Sequence, residues 1–486
     1  MNKKMYAILA SYIILTVSMG EQALAFETDK IPTSTNVQVT NDILKKQEKL
    51  PVYNRVLNKN NMLLQKNLSV EEQSFIFNKD KEVLNINLHD AVATAINNNR
   101  DIHLSAYNLE KAEAAIGEAS ASKNPTISYS FNGGRSKVKN QVSLLSTAYS
   151  NGVNVVWPLW TGGAAEGAID TARYTRDIAH VALYEKEADI KLSATTAYYK
   201  YLQAVNLSDV AEESVRNLSG HFTNVQQQYA AGIVAKLDVL SSNVSLANAK
   251  EKEIAAKNGK DVAEANLNNI MRLPMNTQLI TTDKHFPEPE IDITLEQAIG
   301  MAQKYRWELI QAEYNVKIAE ERISIAKAGY MPTVSLSGGY TWNDKDFPGF
   351  KNQGWTIGGG VSWHLFDGGA TNSKIKEAKA DLKIAEESLL KARESIELEV
   401  RQNYLNVFAA KEQIRATEAA VQQAEEAYKI ATVRYTSGVG INLDVLDAQL
   451  LLNQARTNYI TALYDYNIGI ATLEKAMGIP AVIHTK

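Results

Sequence analysis

The sequence predicts a mainly α-helical protein in which each chain also supplies four strands to a membrane β-barrel. Three observations carry this prediction. The chain contains an internal duplication, each copy holds two segments with period-two alternation, and each copy holds a very long stretch without proline. Together they predict a mixed architecture in which long helices continue a small sheet.

Five landmarks recur at a nearly constant spacing of about 206 residues, which marks an internal repeat. They pair Asn87–Ala91 with Thr294–Ala298, Pro125 with Pro332, Trp157–Ala164 with Trp363–Ala370, Gly232–Leu240 with Gly438–Leu446, and Met271 and Pro274 with Met477 and Pro480. The spacing predicts two equivalent halves, residues 84–274 and 293–480. A linker over 275–292 joins them, and a short tail over 481–486 follows.

Residues 1–25 have the features of a secretory signal peptide. Lys3 and Lys4 precede an apolar core from Ala7 to Val17, and Ala23-Leu24-Ala25 offers small residues at a cleavage site. The alternative is an uncleaved anchor, but the apolar run is shorter than the roughly 20 residues of a spanning helix. Residues 26–83 form an N-terminal extension rich in Asn and Lys.

Composition argues against most other function classes. The chain has no cysteine, which excludes disulfides, thiolate metal sites and a lipidated N-terminal cysteine, and its net charge of −4 does not favour nucleic-acid binding. Its seven histidines lack metal-ligand spacing, and no nucleotide-binding or hydrolase motif is present. The sequence therefore predicts a protein that is not an enzyme and needs no cofactor.

Strict alternation identifies the strands. In Thr333–Trp342 and Trp355–Leu365 apolar residues alternate with Ser, Thr and Gly, and the first copy repeats this around Ile127–Phe131 and Val153–Leu159. Segments of this length cross a bilayer as barrel wall. Tryptophans near the strand ends suit an interfacial girdle: Trp157, Trp160, Trp342, Trp355 and Trp363. On strands alone, the edge of a soluble β-sandwich is an equal alternative.

The helical stretches favour the barrel. No proline occurs between Pro158 and Pro274 or between Pro348 and Pro480, and residues 370–437 contain no glycine either. At 1.5 Å per residue that last stretch reaches about 100 Å, which requires packing in a coiled coil or helical array. A plain soluble coiled coil does not explain strands placed between its helices.

Four strands per chain require more than one chain. An open membrane sheet leaves two edges, and each unpaired backbone group in lipid costs several kcal/mol. Three chains would supply about 12 strands, an even number within the range of known barrels, whereas two chains would also close a barrel with a narrower lumen.

Two motifs, each present twice, resemble the TolC family of outer-membrane efflux proteins. Trp363–Gly369 is similar to the family's strand-to-helix transition, and Arg434–Val445 to its periplasmic helix-turn-helix tip. The resemblance covers residues 84–480. It implies a homotrimer with a 12-stranded outer-membrane barrel continued by a periplasmic α-helical barrel.

The function that the resemblance implies is a passive exit duct of a tripartite efflux or type I secretion system. Its partners would be a periplasmic adaptor (membrane fusion protein), an inner-membrane transporter of RND or ABC type, and outer-membrane lipid. The alternative is a structural coiled-coil protein of the envelope without a transport role. Neither the cargo nor the pump can be derived from the sequence.

The tip motif contains the candidate functional residues. Gly232 and Gly438 stand where a helix must end, and Asp238 and Asp444 fall in the first turn of the returning helix, where capping is the ordinary role of a carboxylate. Asp447 follows Asp444 by three residues, so both share one helix face, whereas the first copy has Ser241 at that position.

By resemblance, Asp444, Asp447, Tyr435 and Asp238 belong to the aperture, and Tyr435 bonds to the neighbouring tip near Asp238. Two acids from each of three chains would form a ring that attracts cations. The resemblance assigns adaptor docking to the tip turns, at Tyr229, Gly232, Val239, Arg434, Gly438, Leu443 and Val445. For Tyr229 and Tyr435, packing at a helix end is the alternative.

The chain departs from the family pattern at two tip positions. Gly440 stands where that pattern has a basic residue, and Gln228 precedes Tyr229 where the second copy has an arginine. A salt-bridged lock of the same design is therefore not expected, and opening is expected to be easier or differently triggered.

Overall fold

The computed structural model describes residues 83–137, 145–281, 283 and 292–479. The signal peptide, residues 26–82 of the extension and the tail lie outside the described residues. The first half contains β1 (Val83–Ile86), α1 (Leu88–Asn98), α2 (Arg100–Ala121), β2 (Thr126–Lys137), β3 (Leu145–Trp160), α3 (Ala164–Ala230) and α4 (Lys236–Met271).

The second half contains the same kinds of element and begins with a short strand. It contains β4 (Gln278–Thr281), α5 (Leu295–Tyr305), α6 (Trp307–Lys327), a 3₁₀ turn (Ala328–Tyr330), β5 (Thr333–Asp344), β6 (Asn352–Ser362), α7 (Ala370–Thr436) and α8 (Asn442–Ala476). The strand β6 ends three residues earlier than the alternation indicates, and β4 lies within the predicted linker. It pairs in parallel with β1, Val83 opposite Gln278.

Helix caps follow the predicted chemistry. The Thr294 hydroxyl accepts from the Gln297 amide at 3.3 Å while the Gln297 side chain accepts from the Thr294 amide at 3.0 Å, which is a capping box. Asn87 accepts from the Asp90 amide at 2.8 Å. The helical stretch that follows each of these caps is broken once, because Asn99 and Arg306 adopt extended backbone between two helices.

The four predicted strands form one antiparallel sheet in the order β2-β3-β5-β6, with β2 and β6 at its edges. Val153 lies opposite Tyr129 on one side and opposite Tyr340 on the other, so the apolar faces of the strands coincide. That face is bare in the single chain: Ile127 and Ile357 are each 74% exposed. A soluble sheet would normally cover such a surface.

Strand-to-helix junctions match between the halves in tertiary detail. Gly163 and Gly369 cap α3 and α7 with φ of 96° and 89°, a left-handed conformation that glycine adopts without strain. Beside them the Trp157 indole donates to the Lys123 carbonyl at 3.1 Å, and the Trp363 indole donates to the Tyr330 carbonyl at 3.0 Å.

Helices α3 and α7 each contain 67 residues, within one residue of the predicted length for α7. The core lies along them in two clusters, one around Tyr198, Tyr201 and Leu267, the other around Val400, Val407 and Leu473. Within the part of the chain that the structure describes, no helix is long and apolar enough to cross a membrane.

The short helices α2 and α6 are packed differently. Helix α6 lies between two long helices: Trp307 stacks on Tyr184 of α3 with ring centroids 5.4 Å apart, and Glu313 pairs with Arg393 of α7 at 3.5 Å. Helix α2 packs on α3, but Leu104 and Tyr107 on its surface are 58% and 65% exposed. Among the residues that the structure describes, one side of α2 therefore lacks the kind of neighbour that α6 has.

Candidate functional site: the hairpin tips

Both long hairpins turn at a glycine. Helix α3 ends at Ala230, where Gly232 has φ of 75° and the Ile233 amide donates to the Gln228 carbonyl at 2.9 Å. Helix α7 ends in the same way: Gly438 has φ of 74° and the Val439 amide donates to the Arg434 carbonyl at 3.0 Å. The six-to-one bond and left-handed glycine form a Schellman motif, as predicted for a C-cap.

Gly440 is held in the turn by close packing against backbone. Its amide donates to the Arg434 carbonyl at 3.0 Å, and a Cβ at this position would lie 3.0 Å from the Tyr435 nitrogen and 3.1 Å from the Arg434 carbonyl carbon. A basic side chain here would therefore strain the turn. The departure from the family pattern at Gly440 thus has a local structural reason.

We expect Gly440→Ala to destabilise the second tip by about 1 kcal/mol, because the new Cβ forces the turn to shift. Amide hydrogen exchange over residues 434–445 would measure the loss. The matched control is Gly220→Ala, an exposed position inside α3 with open space around it. That change should stabilise the helix by up to about 1 kcal/mol. Equal protection factors in both variants and the parent would contradict the account.

The acidic residues of the two tips have different environments. Asp444 and Asp447 are exposed in the first turns of α8. Asp238 is half-buried, and its carboxylate accepts from the Ala235 amide at 3.3 Å, which is the capping role. Ser241, the counterpart of Asp447, donates its hydroxyl to the Asp238 carbonyl at 3.2 Å. Only the second tip therefore presents two free carboxylates.

Tyr435 is buried, at 5% exposure, and packs with Val225 and Val445 between the two hairpins. Its hydroxyl is also buried and has no hydrogen-bond partner among the described residues. Burial, followed by the charge of Asp238, raises the pKa of this phenol. Within the protomer, the predicted bond to the tip near Asp238 is thus not made, and helix-end packing describes Tyr435 better.

The residues assigned to adaptor docking divide by exposure. Tyr229, Gly232, Arg434, Gly438 and Leu443 are exposed. Val239 is half-buried, and Val445 is only 1% exposed because it packs on Val225 and Tyr435. Val445 is therefore not available as a surface contact, which corrects that assignment.

Exposed apolar side chains around the tips were missed by the sequence reasoning. They are Ile233, Leu237, Leu240, Val439 and Ile441. The signal was present, because three of them recur at helical spacing beside a turn glycine, where polar residues are usual. They enlarge the apolar surface that the tips offer.

A buried polar cluster joins the two tips and was also missed. We call it the tip joint: His221 of α3, Ser242 of α4 and Asn442 of α8. The His221 Nε2 atom lies 2.7 Å from the Asn442 side-chain oxygen, and the Ser242 hydroxyl donates to the same oxygen at 3.1 Å. Within the described residues, no group of three or more His, Asp or Glu could hold a metal ion.

Comparison with known proteins now identifies the family. The sequence model of the family described as outer membrane efflux protein matches residues 91–271 and 298–479. The chain belongs to this family. Its members are outer-membrane proteins that extend into the periplasm, and the chain shares that location. The family is one of efflux channels rather than of enzymes.

Individual relatives of this outer membrane efflux protein are distant in sequence. Outer membrane protein TolC of Escherichia coli is 26% identical over 306 residues, 59% of this chain and 61% of that protein. The probable efflux pump outer membrane protein TtgC of Pseudomonas putida is 23% identical, covering 80% of this chain and 82% of its own. A membrane protein from Pseudomonas aeruginosa shares the fold, with a TM-score of 0.73, 20% identity and coverage of 81% and 90%.

Proposed function

We propose that the chain is one protomer of a homotrimeric, passive exit duct that spans the outer membrane and the periplasm. Three protomers would form a 12-stranded barrel continued by a helical barrel. The observation that carries the proposal is the bare sheet: four antiparallel strands with an exposed apolar face and two unpaired edges, set on helices of 67 residues. Lipid would cover the face and neighbouring copies the edges.

Equivalence of the halves indicates how the copies would meet. The strands β3 and β5 join the two hairpins of the sheet, and their counterparts β6 and β2 are the free edges. A copy that pairs its β2 with the β6 of its neighbour would repeat the β3–β5 contact. Closure of the sheet in this way removes both edges, whose unpaired backbone groups would each cost several kcal/mol in lipid.

The same equivalence applies to the helices. Trp307, Gln311 and Tyr314 are among the α6 residues that contact α3. Their counterparts on α2 include the exposed Leu104 and Tyr107, and the counterpart of Tyr184 is the exposed Leu390 of α7. Since Tyr314 contacts Tyr174, whose counterpart is the exposed Ala380 of α7, we infer that Leu104 packs near Leu390 and Tyr107 near Ala380 of the next copy.

The tips would form the periplasmic end of the duct. Asp444 and Asp447 from each copy would line an aperture as a cation-attracting ring, with Tyr435 and Asp238 supporting the tip behind it. The exposed turn residues Tyr229 and Leu443 and the turn glycines, with Arg434, would meet a periplasmic adaptor. The name of the Pseudomonas putida relative places it in an efflux pump. An adaptor and an inner-membrane transporter are therefore the proposed partners here.

Planar-bilayer recording of the purified protein tests the proposal against a structural envelope protein without transport. The duct predicts discrete, reproducible conductance steps from the trimeric fraction and none from monomer separated on the same column. A trimer that inserts into vesicles but stays silent at all voltages would favour the structural alternative.

A further inference from the structure

The tip joint is a fully matched set of buried hydrogen bonds between different hairpins. The side-chain oxygen of Asn442 accepts the two bonds from His221 and Ser242. The side-chain nitrogen of Asn442 donates to the Asp238 carbonyl and to the Ser241 hydroxyl, each at 3.2 Å. One asparagine at the start of α8 is thereby tied to both helices of the first hairpin. The residues to which Asn442 bonds are 200 to 221 positions away in the chain.

These bonds fix which ring nitrogen of His221 donates. Because the Asn442 nitrogen donates twice, its oxygen must be the acceptor toward the imidazole, so Nε2 of His221 carries the proton and donates. The neutral ring fulfils this role. The ring is buried and lies against Tyr435, with ring centroids 5.0 Å apart.

The surroundings of His221 contain few groups that titrate near neutral pH. Helix α3 carries no Asp, Glu, Lys or Arg between Asn217 and Ala230. The charged and titratable side chains near the tip on the packed elements are Lys236 and Asp238 of α4, Tyr428, Lys429, Arg434 and Tyr435 of α7, and Asp444 and Asp447 of α8. Burial lowers the pKa of His221, and its bond to Asn442 offsets part of that effect.

The joint is specific to the contact within one protomer. The duplication places Ala427, Ala448 and Lys236 at the positions equivalent to His221, Ser242 and Asn442. The contact between hairpins of neighbouring copies therefore cannot contain the same bonds. A trimer would hold three joints, one inside each protomer.

We propose that the tip joint positions the second hairpin tip, with Asp444 and Asp447, against the first hairpin, and that protonation of His221 releases it. This inference rests on the proposed function, because the tip that is released is the one proposed to line the aperture. The direction in which pH changes the stability of the tip joint follows from the protonation of His221 in its two states. The closed joint holds neutral histidine, whereas a separated, solvated histidine has a pKa of about 6.5, so acid favours separation. The joint is most stable above that pH and weakens below it.

A single cysteine can report separation, because the chain has no cysteine of its own. Val225 is fully buried between the hairpins beside Tyr435 and Val445, and Gln226 next to it is exposed. The thiol of Val225→Cys is labelled in the purified trimer with a dipyridyl disulfide at pH 7.5 and 5.5. Its labelling rate is divided by the labelling rate of the exposed Gln226→Cys at the same pH. We expect the ratio to rise at pH 5.5, by up to roughly tenfold, because this pH lies about one unit below the pKa of a solvated histidine.

Variants in the same background assign that rise. His221→Gln keeps a donor but does not titrate, so the ratio should stay constant with pH. Asn442→Asp supplies a carboxylate that can pair with protonated His221, so acid should lower the ratio in this variant. The aspartate variant tests the role of His221 independently, even if His221→Gln fails to assemble. Asp444→Asn with Asp447→Asn should leave the rise intact.

Three outcomes would overturn the proposal: a ratio that does not change with pH in the parent, a rise that persists in His221→Gln, or a rise that is lost only in the aspartate double variant. The readout is independent of conductance. A silent but pH-responsive trimer would therefore refute the duct and leave the joint standing.

Discussion

Replacing both Asp444 and Asp447 with asparagine is expected to abolish block of the channel by divalent cations. Both carboxylates are exposed on one face at the start of α8, and the first tip offers no such pair. At about 8 Å in water each charge attracts a divalent ion by about 1 kcal/mol. Six charges, reduced by about half through salt, give about 3 kcal/mol, or roughly 100-fold in affinity.

The measurement is a titration of the blocking ion in planar bilayers, with block constants compared between parent and variant. Asp209→Asn with Asp261→Asn is the matched control, since it removes the same charge from exposed positions on α3 and α4. Block should persist there. If divalent cations block the Asp444 and Asp447 double variant as tightly as the parent, these two residues do not line the aperture. Equal loss in the control would point to net charge instead.

Local chemistry explains which features the sequence reveals. The turn glycines, the capping box at Thr294 and the alternating strands depend on neighbours within a few residues, so their patterns are legible in the sequence. Because the chain is duplicated, each of these patterns occurs twice in the sequence. The strand β4 is too short for its alternation to be distinguished from a linker, and it forms because β1, far away in the chain, pairs with it.

The tip residues show where such reasoning ends. Val445 and Tyr435 look like surface groups of a turn, and only the packing of one hairpin on the other buries them. The tip joint depends on the same packing, because His221 and Asn442 are brought together by two hairpins whose relative placement no local pattern encodes. Polar residues at exposed and buried positions of such long helices are indistinguishable in one sequence.

The second large effect is expected at the contact between copies. Leu104→Glu combined with Tyr107→Glu should prevent trimer formation, because both side chains are exposed in the single chain and their counterparts on α6 contact α3. Each loses about 2 kcal/mol of apolar burial, and burying an unpaired carboxylate costs at least as much again. Two such side chains at each of three interfaces add up to roughly 24 kcal/mol. Light scattering on detergent-purified protein would show the monomer.

Asn108→Glu is the control on the same helix, since its counterpart Asn315 stays exposed although α6 is packed on both sides. That variant should remain trimeric. Adding Ala380→Lys to Tyr107→Glu should restore part of the assembly, because a cation on α7 of the next copy would pair with the new carboxylate. An intact trimer in the Leu104 and Tyr107 double variant would show that α2 does not contact its neighbour in the way that α6 contacts α3. The equivalence of the two halves would then hold within the chain but not between chains.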